Sequence, residues 1–458
     1  MLDGCTPWPE EFVDRYWAAG HWRGYTLDNL LRGWALEYGP RTALVHGDTR
    51  LTYANLNRRV DRLSAGIRLR GIRPGMRVVV QLPNVPEFVV TVFALMRAGA
   101  VPVLCPLSHP AAELPELVRV TQAVGYVAPA THQGVDHMAV AADIAARWPF
   151  LRRVFTLEEP GSASPYGGLT TDPAGCQYAP LGSVDAPPEP ALIQRADRPA
   201  FLLLADGGGT AGTGLVPRTH DDYAYQARAA AERVSLGGDD VYLAALPAGS
   251  GLALGCPGII GTLSVGGTVV LADPADPGAC LRALRRERVT LTSVGPATAE
   301  RWLEALPAAG AGPGGLRLVQ IGSEASVPPV PRTTADRLGA ALGCDVQQAF
   351  WMAEGPLLLT RAAAPGCGDT VPAEPGHHPL SPDDEIRLVG ADGRDVPEGE
   401  AGELLARGPY TARGYYRSSG HDARSFTADG YFRTGRLARR APDGGLVVTG
   451  RCGELPTG

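Results

Sequence analysis

Apolar residues recur along the chain in two alternating patterns. Residues 53–71, YANLNRRVDRLSAGIRLRG, carry apolar positions at helical spacing and end at a glycine, which predicts a helix. Two short apolar runs, RVVVQLP at 77–83 and VPVLCPL at 101–107, flank a further helical pattern, EFVVTVFALMRAGA, at 87–100. Buried strands that alternate with helices are typical of βαβ units, in which helices cover both faces of a parallel sheet.

The same alternation continues on both sides of a connecting segment rich in Pro, Gly, Ser and Asp at 160–198. We expect a first α/β lobe over 1–190 and a second α/β lobe over 191–365. After that point the pattern changes to short alternating strands separated by turns, which predicts a small antiparallel β lobe over 366–450. Residues 451–458 follow this lobe.

Composition narrows the class of protein. The 458 residues are 45% hydrophobic and 20% charged with a net charge of −6, and they contain no basic block, which argues against nucleic acid or an anionic membrane as a partner. No apolar run reaches the roughly 18 residues that a membrane span needs. The N-terminus has acids and prolines where a signal peptide needs a basic start, so we expect a cytoplasmic protein. Eight cysteines without a C-x-x-C pair predict free thiols and no metal site.

All 42 basic residues are arginines, so the chain contains no lysine. An arginine side chain neither loses its proton near neutral pH nor acts as a compact point charge. Any mechanism that needs a lysine of this chain as general acid, Schiff base or phosphate ligand is therefore excluded.

Several segments resemble the adenylate-forming enzymes, the superfamily of acyl-CoA synthetases, nonribosomal peptide adenylation domains and luciferases. They are LTYANLNRRVDRLSAGIRLRGIRPGMRVVVQLPNVPEF, PRTHDDYAY, VYLAALP, QQAFWMAEG and RGPYTARGYYRSSGHDARSFTADGYFRTG. The likeness is closest to the 2,3-dihydroxybenzoate– and salicylate–AMP ligases. It implies the α/β fold of the large N-terminal domain of these enzymes, with two βαβ-type sheet lobes and a small antiparallel β-barrel lobe. In that family the large domain binds ATP and a carboxylic acid, and the acyl group then passes to a thiol on a carrier protein or on CoA.

The family holds the phosphates of ATP in a glycine-rich loop that ends in lysine. ADGGGTAGTGLVPRTHDDY at 205–223 resembles that loop: Gly207, Gly208 and Thr210 match, and Gly214 stands at the lysine position. Backbone N–H groups of such a loop can still line an anion-binding nest. Because the lysine is missing, the resemblance predicts a vestigial phosphate loop.

Three further positions correspond to the family's nucleotide site and hinge. Arg436 in GYFRTGR stands where the family has an aspartate that accepts both ribose hydroxyls, and a guanidinium has no acceptor. Glu354 in FWMAEG matches the carboxylate that the family associates with magnesium. Arg451 belongs to a Gly-Arg segment that precedes the family's small C-terminal domain. We therefore expect 451–458 to be a remnant of the hinge, with the C-terminal domain absent.

The acid pocket also departs from the family pattern. After ALP, the aryl acid ligases bring a His, an Asn, a Tyr and a Ser toward the ring, and the corresponding residues here are Ser250, Gly251, Leu252 and Cys256. The amide that would bond the phenol is thereby lost. Trp351 stands where the family has glycine, so its indole is expected to block or reshape the cavity. The residues that we expect to bind substrate are Tyr223, Ser250, Gly251, Leu252, Cys256, Gly322, Trp351 and Met352.

These departures predict a relative of the aryl acid–AMP ligases that has lost ATP-dependent adenylation. We therefore expect it to bind neither ATP nor magnesium as a cofactor. It would bind or process an aryl or acyl group, on a carrier protein or free, in a nonribosomal peptide or siderophore pathway. As an enzyme it would carry out acyl transfer, condensation or cyclisation without ATP. The reactive groups expected nearest the cavity are His220, Ser250, Cys256 and Glu354.

Two alternatives remain open from the sequence. The first is a non-catalytic scaffold for a carrier protein or an active homologue. The second is a slow but genuine aryl acid–AMP ligase. Pyrophosphate exchange with ATP and aryl acids separates the second alternative from the others.

Overall fold

The computed structural model describes residues 2–158, 168–205, 214–309, 314–324, 331–361 and 376–452. Its strands are, in chain order, β1 Thr42–His46, β2 Thr49–Thr52, β3 Arg77–Val80, β4 Val101–Leu104, β5 Gly125–Pro129, β6 Thr131–His132, β7 Val135–Asp136, β8 Arg153–Leu157, β9 Thr170–Thr171, β10 Gln177–Pro180, β11 Pro199–Leu204, β12 Leu215–Thr219, β13 Val241–Ala244, β14 Thr268–Leu271, β15 Leu291–Val294, β16 Leu318–Glu324, β17 Asp345–Trp351, β18 Leu357–Leu359, β19 His378–Pro379, β20 Glu385–Val389, β21 Gly402–Arg407, β22 Phe432–Arg440 and β23 Leu446–Arg451.

The α-helices of the same residues alternate with these strands over most of the chain. They are α1 Glu10–Ala18, α2 Leu27–Glu37, α3 Tyr53–Leu69, α4 Pro86–Arg97, α5 Leu114–Thr121, α6 His137–Arg147, α7 His220–Arg233, α8 Gly251–Gly255, α9 Gly258–Ser264, α10 Pro277–Arg286, α11 Pro296–Ala309, α12 Arg332–Leu342 and α13 Ser419–Ser425.

Local sequence explains where these helices begin and end. The side chain of Thr219 accepts from the backbone N–H of Asp222, and the Asp222 side chain accepts from the Thr219 N–H, so α7 starts at a capping box. Thr52 caps α3 through the N–H of Asn55. The predicted helix over 53–71 is confirmed as α3, and the chain leaves it through Gly71 at φ +89°, a conformation that favours glycine.

Two large sheets, one of eight strands and one of nine, contain most of the strands. The first runs in the order β12-β11-β4-β3-β5-β8-β10-β9, with parallel pairing from β11 through β10. The second runs β19-β18-β17-β16-β15-β13-β14-β1-β2 and is parallel from β17 to β1. The predicted α/β architecture with parallel sheets is confirmed. The central strands are buried on both faces, which explains their continuous apolar runs.

Some strands lie in a different sheet from their neighbours in the sequence. β1 lies in the second sheet, where Leu44 faces Val269 of β14 in the parallel register. β11 and β12 lie in the first sheet, where Leu202 faces Val103 of β4. Each sheet therefore contains strands from both sides of residue 190, because parallel pairing joins segments that are distant in the chain.

Helices fill the space between the sheets and cover their outer faces. The largest core cluster packs α2, α3, α4, α7 and α9 between the strands of both sheets. A second cluster packs α10, α11 and α12 on the outer face of the second sheet, and a third packs α5 and α6 on the outer face of the first. The result is a layered structure in which the carboxyl ends of both sheets meet along one cleft.

The small β lobe predicted for the end of the chain is present as a four-stranded antiparallel sheet in the order β20-β21-β22-β23. Its inner face packs Leu388, Leu404, Ala438 and Leu446 against Phe350 of β17, so the lobe is fixed beside the carboxyl edge of the second sheet.

Candidate functional site

A cavity of about 580 Å³ lies where strands of the two large sheets end. The cavity is lined by residues at or just after the carboxyl ends of β4 and β11 in the first sheet and of β13, β15, β16 and β17 in the second. The carboxyl ends of parallel strands are the usual place for ligands in such folds. Its larger apolar lining residues are Leu104, Leu203, Leu204, Leu246, Leu252 and Trp351. Its polar lining side chains are Ser108, His109, Glu113, Ser250 and Thr298.

One wall of the cavity follows β13 and is held by Asn84 from the other sheet. The Asn84 Nδ2 donates to the carbonyl oxygens of Ala244 and Leu246 at 3.0 and 2.8 Å, and its Oδ1 accepts from the N–H of Ala248 at 2.8 Å. The side chain is 4% exposed. A single amide therefore fixes the segment that leads to Ser250. Asn84 was absent from the residues predicted for the site, because its partners lie more than 150 residues away.

Ser250, Gly251 and Leu252 line the cavity as the resemblance implies. Ser250 caps α8, with its Oγ accepting from the Ala253 N–H at 3.3 Å. A Cβ on Gly322 would lie 2.0 Å from Leu252 Cδ2. Any side chain at 322 would therefore collide with Leu252 in its present position.

Gly251 and Trp351 contact each other closely on this wall. A Cβ on Gly251 would lie 2.1 Å from Cζ2 of the indole, a separation that real atoms do not adopt. Trp351 is 4% exposed and lines the cavity. The two departures from the family pattern, Gly251 and Trp351, are therefore linked. The ring of Trp351 occupies the space into which a side chain at 251 would project.

Glu354 lies three residues after Trp351 and is 5% exposed. Its Oε1 accepts a hydrogen bond from the phenol of Tyr415, and its backbone oxygen accepts from the Ala412 N–H. Burial, and then the charge of Glu354, raise the pKa of Tyr415, so the phenol stays a donor at neutral pH. A Cβ on Gly214, which lines the cavity, would lie 3.6 Å from Cε1 of Tyr415. The carboxylate is therefore oriented at the edge of the cavity by a protonated tyrosine.

Arg218 connects this region to α7. It is fully buried, pairs with Asp222 at 2.9 Å and donates to Gln226 Oε1 at 2.7 Å. It also donates to the carbonyl oxygens of Ala353 and Tyr410 at 3.3 and 3.0 Å. Burial raises the pKa of Asp222, and Arg218 opposes that rise. The PRTHDDY motif thus holds the backbone next to Glu354, a role that we had not predicted for it.

His220 and Cys256 lie outside the lining of the cavity. His220 Nδ1 accepts from the backbone N–H of Leu27 at 3.1 Å, and burial lowers the pKa of the ring to about 4. Cys256 Sγ accepts from Gln226 Nε2, and burial raises the pKa of the thiol to about 12. A neutral buried imidazole with a backbone donor and a protonated buried thiol are typical of structural residues. Their placement does not favour the catalytic roles that we predicted for them.

Two other predicted substrate residues also stand behind the lining. Tyr223 is fully buried, and its hydroxyl donates to the backbone oxygen of Gly251 at 3.0 Å, so it supports the wall from outside. Met352 is half-buried and packs against the cores beside the small β lobe.

Of the residues predicted for the nucleotide site, Gly214 lines the cavity. Gly207, Gly208 and Thr210 lie in 206–213, outside the described residues. Arg436 and Arg451 face each other in the register of β22 and β23, on the small β lobe.

His109 and Glu113 also line the cavity, although we had not predicted them for the site. The two side chains lie 3.8 Å apart, and burial lowers the pKa of His109 against the opposing effect of Glu113. They are the only ionisable side chains among the described residues that line the cavity. Their spacing of four residues just after a buried strand was the available indication.

The layered α/β fold, with a cavity at the carboxyl ends of two parallel sheets and an oriented carboxylate at its edge, defines the large domain of an adenylate-forming enzyme. Residues 31–416 match the family model described as AMP-binding enzyme, and the chain belongs to this family.

Known proteins of this family are similar to the chain over nearly its whole length. It is 41% identical over 459 residues to the salicyl-AMP ligase / salicyl-S-ArCP synthetase of Mycobacterium tuberculosis, covering 99% of this chain and 78% of the relative. It is 38% identical over 451 residues to the 2,3-dihydroxybenzoate-AMP ligase of Bacillus subtilis, covering 98% and 79%. The apo structure of Mycobacterium smegmatis MbtA superposes with a TM-score of 0.85 at 40% identity, covering 98% of this chain and 80% of that one.

These findings correct one prediction. The expectation that ATP and magnesium binding has been lost is wrong, because the chain belongs to an AMP-binding family and its relatives at about this identity are named AMP ligases. They favour a genuine ligase over the ATP-free derivative that we had expected. Separately, no helix in the described ranges is both long and apolar enough to cross a membrane.

Proposed function

We propose that the protein is an aryl acid–AMP ligase, which joins an aryl carboxylic acid to the AMP part of ATP and releases pyrophosphate. The observation that carries the proposal is the 580 Å³ cavity at the meeting of the two parallel sheets, with Glu354 held at its edge. The similarity to two aryl acid–AMP ligases over 98–99% of the chain supports the substrate class.

The cavity suits an aryl group. Its lining is mainly leucine, proline, glycine and the Trp351 ring, which favour a flat apolar body, and a few polar side chains are placed to orient the substituents of the ligand. Asn84 keeps one wall in place, and Leu252 packs into the space left by Gly322. The chain's own residues therefore bind and orient the acid.

The residues at the edge of the cavity fit a nucleotide with its metal ion. Glu354 offers a hard oxygen ligand of the kind that Mg²⁺ prefers, and Mg²⁺ usually takes one or two carboxylates together with phosphate oxygens. When bound, ATP would supply the adenylyl group and Mg²⁺ would neutralise phosphate charge. Arg218 holds the backbone at Ala353 and so keeps Glu354 in position.

The chain differs from the family at Gly214 and Arg436, which correspond to a phosphate-binding lysine and a ribose-binding aspartate. These differences support the slow form of the ligase. The acceptor of the acyl group in this proposal is a thiol of a carrier protein, as the name salicyl-S-ArCP synthetase indicates for one relative.

Pyrophosphate exchange tests the proposal. We expect the protein, incubated with ATP, Mg²⁺ and radiolabelled pyrophosphate, to form labelled ATP only when an aryl acid such as salicylate is present. Glu354→Gln should abolish the exchange, because the amide no longer offers a charged ligand to the metal.

The control is Glu116→Gln, which neutralises an exposed carboxylate on α5 and should exchange like the unmodified protein. Absence of exchange from the folded protein across salicylate, 2,3-dihydroxybenzoate and benzoate would overturn the proposal and favour the scaffold alternative.

A further inference from the structure

The segment QLPN at 81–84, which follows β3, holds two different parts of the cavity wall. Asn84, its last residue, holds the chain that leaves β13. Gln81, its first residue, donates from Nε2 to the carbonyl oxygen of Pro106, just beyond β4, at 3.0 Å. Pro106 lines the cavity, whereas Gln81 is fully buried behind it. Gln81 can therefore act on a ligand only through the residues that it holds.

The carbonyl oxygen of Pro106 closes a turn in the cavity wall. It also accepts from the backbone N–H of His109 at 3.0 Å, so the turn spans residues 106–109. Pro106, Ser108 and His109 all line the cavity. The Cys105 thiol lies 3.7 Å from the same oxygen, which is a long contact for a weak donor. The Gln81 amide is thus the group that fixes this turn to the segment after β3.

Two further buried side chains orient the Gln81 amide. The hydroxyl of Tyr126, on β5, lies 2.6 Å from Oε1 of Gln81 and 2.8 Å from Nδ1 of His137, the first residue of α6. Tyr126 and His137 are 1% and 3% exposed. These hydrogen bonds form a chain from α6 to the turn after β4, across the neighbouring strands β5, β3 and β4 of the first sheet.

The donors and acceptors of this chain of hydrogen bonds have one consistent arrangement. A carbonyl oxygen only accepts, so the Gln81 amide must place Nε2 toward Pro106 and Oε1 toward Tyr126. Oε1 also only accepts, so it takes the hydroxyl proton of Tyr126. The Tyr126 oxygen must then accept from Nδ1–H of His137. Burial lowers the pKa of His137, so its neutral ring carries a single proton, and that proton is on Nδ1.

We infer that Gln81 is a positioning residue for the aryl acid: its amide, oriented by Tyr126 and His137, holds the turn at 106–109 in the place where the turn contacts the acid. This inference rests on the proposed function. Gln81 and Asn84 together set the spacing between the turn after β4 and the segment after β13. A flat apolar ligand depends on such spacing, because a gap of roughly 0.5–1 Å already forfeits a quarter to a half of the dispersion attraction.

Gln81→Leu removes the amide and tests the positioning. Isothermal titration without ATP, using the tightest binder among salicylate, 2,3-dihydroxybenzoate and benzoate, should show about fivefold weaker binding, the ratio expected for one hydrogen bond. In pyrophosphate exchange the KM for that acid should rise by a similar factor, with the KM for ATP unchanged. Tyr126→Phe removes only a hydroxyl and should weaken acid binding in the same direction.

Gln194→Leu is the matched control for the loss of the amide. Gln194 donates to the carbonyl oxygen of Met96 at 3.0 Å and lies outside the cavity lining. The change removes the same kind of hydrogen bond and should leave both acid binding and the two KM values as they are.

The proton on His137 tests the direction of the hydrogen bonds without any ligand. Nitrogen NMR of protein with isotopically labelled histidine rings, at about pH 8, should show this proton on Nδ1. His137→Gln identifies the signal by its loss. In Gln81→Leu the Tyr126 hydroxyl has lost its acceptor and should donate to Nδ1, so the ring proton should move to Nε2. Gln194→Leu should keep the proton on Nδ1.

The outcomes separate this inference from the proposed function. A His137 proton on Nε2 in the unmodified protein, or unchanged acid binding in folded Gln81→Leu and Tyr126→Phe, would overturn the inference. An equal rise in both KM values would overturn it as well, and so would failure of the unmodified protein to bind any of the three acids. Absence of pyrophosphate exchange would overturn the proposed function, while acid binding and the His137 proton, both measured without ATP, would still decide the role of Gln81.

Discussion

By its resemblance to the adenylate-forming enzymes, the chain has a cation, Arg436, where that family has a carboxylate for the ribose. Arg436 lies on β22 in register with Arg451 on β23, within the small β lobe. A guanidinium has no lone pair for a hydroxyl hydrogen, so two hydrogen bonds that the family makes to ATP are missing at this residue. In the proposed ligase, we therefore expect the side chain at 436 to contribute less to ATP binding than an aspartate would.

Arg436→Asp should therefore lower the KM for ATP. Hydrogen bonds to a charged acceptor contribute about 1.5–3 kcal/mol, so we expect a decrease of roughly tenfold or more. Pyrophosphate exchange at varied ATP concentration measures it. Arg440→Asp, an exposed change on the same strand, is the matched control, and equal KM values for the two variants would contradict the role assigned to position 436.

Motifs in the sequence identified part of the site at this scale. Ser250, Gly251, Leu252, Gly322 and Trp351 were predicted and do line one cavity. The closeness of Gly251 and Trp351, 100 residues apart, could not be read from the chain, because neither motif shows which atoms meet after folding.

Chemical reactivity alone also proved a poor guide to position. Histidine and cysteine were selected because their side chains react, but His220 and Cys256 are held in the core by a backbone N–H and an amide. Burial and hydrogen-bond partners, which only the structure shows, decide whether such groups face a ligand.

At the scale of elements, the cavity wall depends on an interaction between the two sheets. Asn84 follows β3 of the first sheet, and its three hydrogen bonds hold the chain that leaves β13 of the second. The segment from Leu246 to Leu252 lines the cavity, whereas Asn84 contacts only its backbone. In the proposed ligase, Asn84 is thus a positioning residue for the acid.

Asn84→Ala should raise the KM for the aryl acid more than the KM for ATP, since the loosened segment lines the cavity. Three hydrogen bonds at about 1 kcal/mol each suggest an overall loss of roughly 3 kcal/mol in the stability of this wall. Exchange kinetics with each substrate varied in turn give the two KM values. Asn55→Ala, which removes one hydrogen bond at the surface of α3, should change neither. A parallel rise in both constants would indicate general destabilisation and contradict a positioning role.

Hydrophobic spacing predicted most elements of the first half of the chain, because helices and buried strands there carry clear periods. α3 and α4 match the predicted helical segments, and β3 and β4 match the apolar runs. Hydrophobic spacing could not predict which sheet each strand joins, because β1 and β11 resemble their sequence neighbours in pattern but pair with distant strands.

At the scale of the molecule, the junction of the small β lobe with the main body contains a buried acid. Asp384 accepts from the Tyr410 hydroxyl and from the Ser381 N–H, and Ser381 in turn bonds Tyr225 of α7. Burial raises the pKa of Asp384 from 3.8 to about 7. The protonated form is therefore favoured in the folded protein, and folding takes up a proton between those two values.

The sign of the pH dependence follows from this uptake. Stability contributed by Asp384 is full below about pH 4 and falls as the pH rises to about 7, with an integrated change of roughly 4 kcal/mol. Asp384→Asn mimics the protonated acid at every pH. Its melting temperature should be close to that of the unmodified protein near pH 4 and should exceed it increasingly up to about pH 7.

Thermal denaturation in matched buffers checks this expectation. Asp239→Asn changes a fully exposed carboxylate and should follow the unmodified protein at every pH. A difference between Asp384→Asn and the unmodified protein that stays constant with pH would show that Asp384 does not titrate in this range.

The exchange of strands between sheets also constrains how the chain is made. Leu44 pairs with Val269, so the strand near the N-terminus waits for a partner that emerges from the ribosome 225 residues later. At synthesis rates of roughly 5–20 residues per second, this delay lasts about 11–45 seconds. During that time the hairpin of β1 and β2 presents an open edge. Nascent copies on one messenger could pair through it, and a chaperone that covers the first fifty residues would protect the yield of the whole protein.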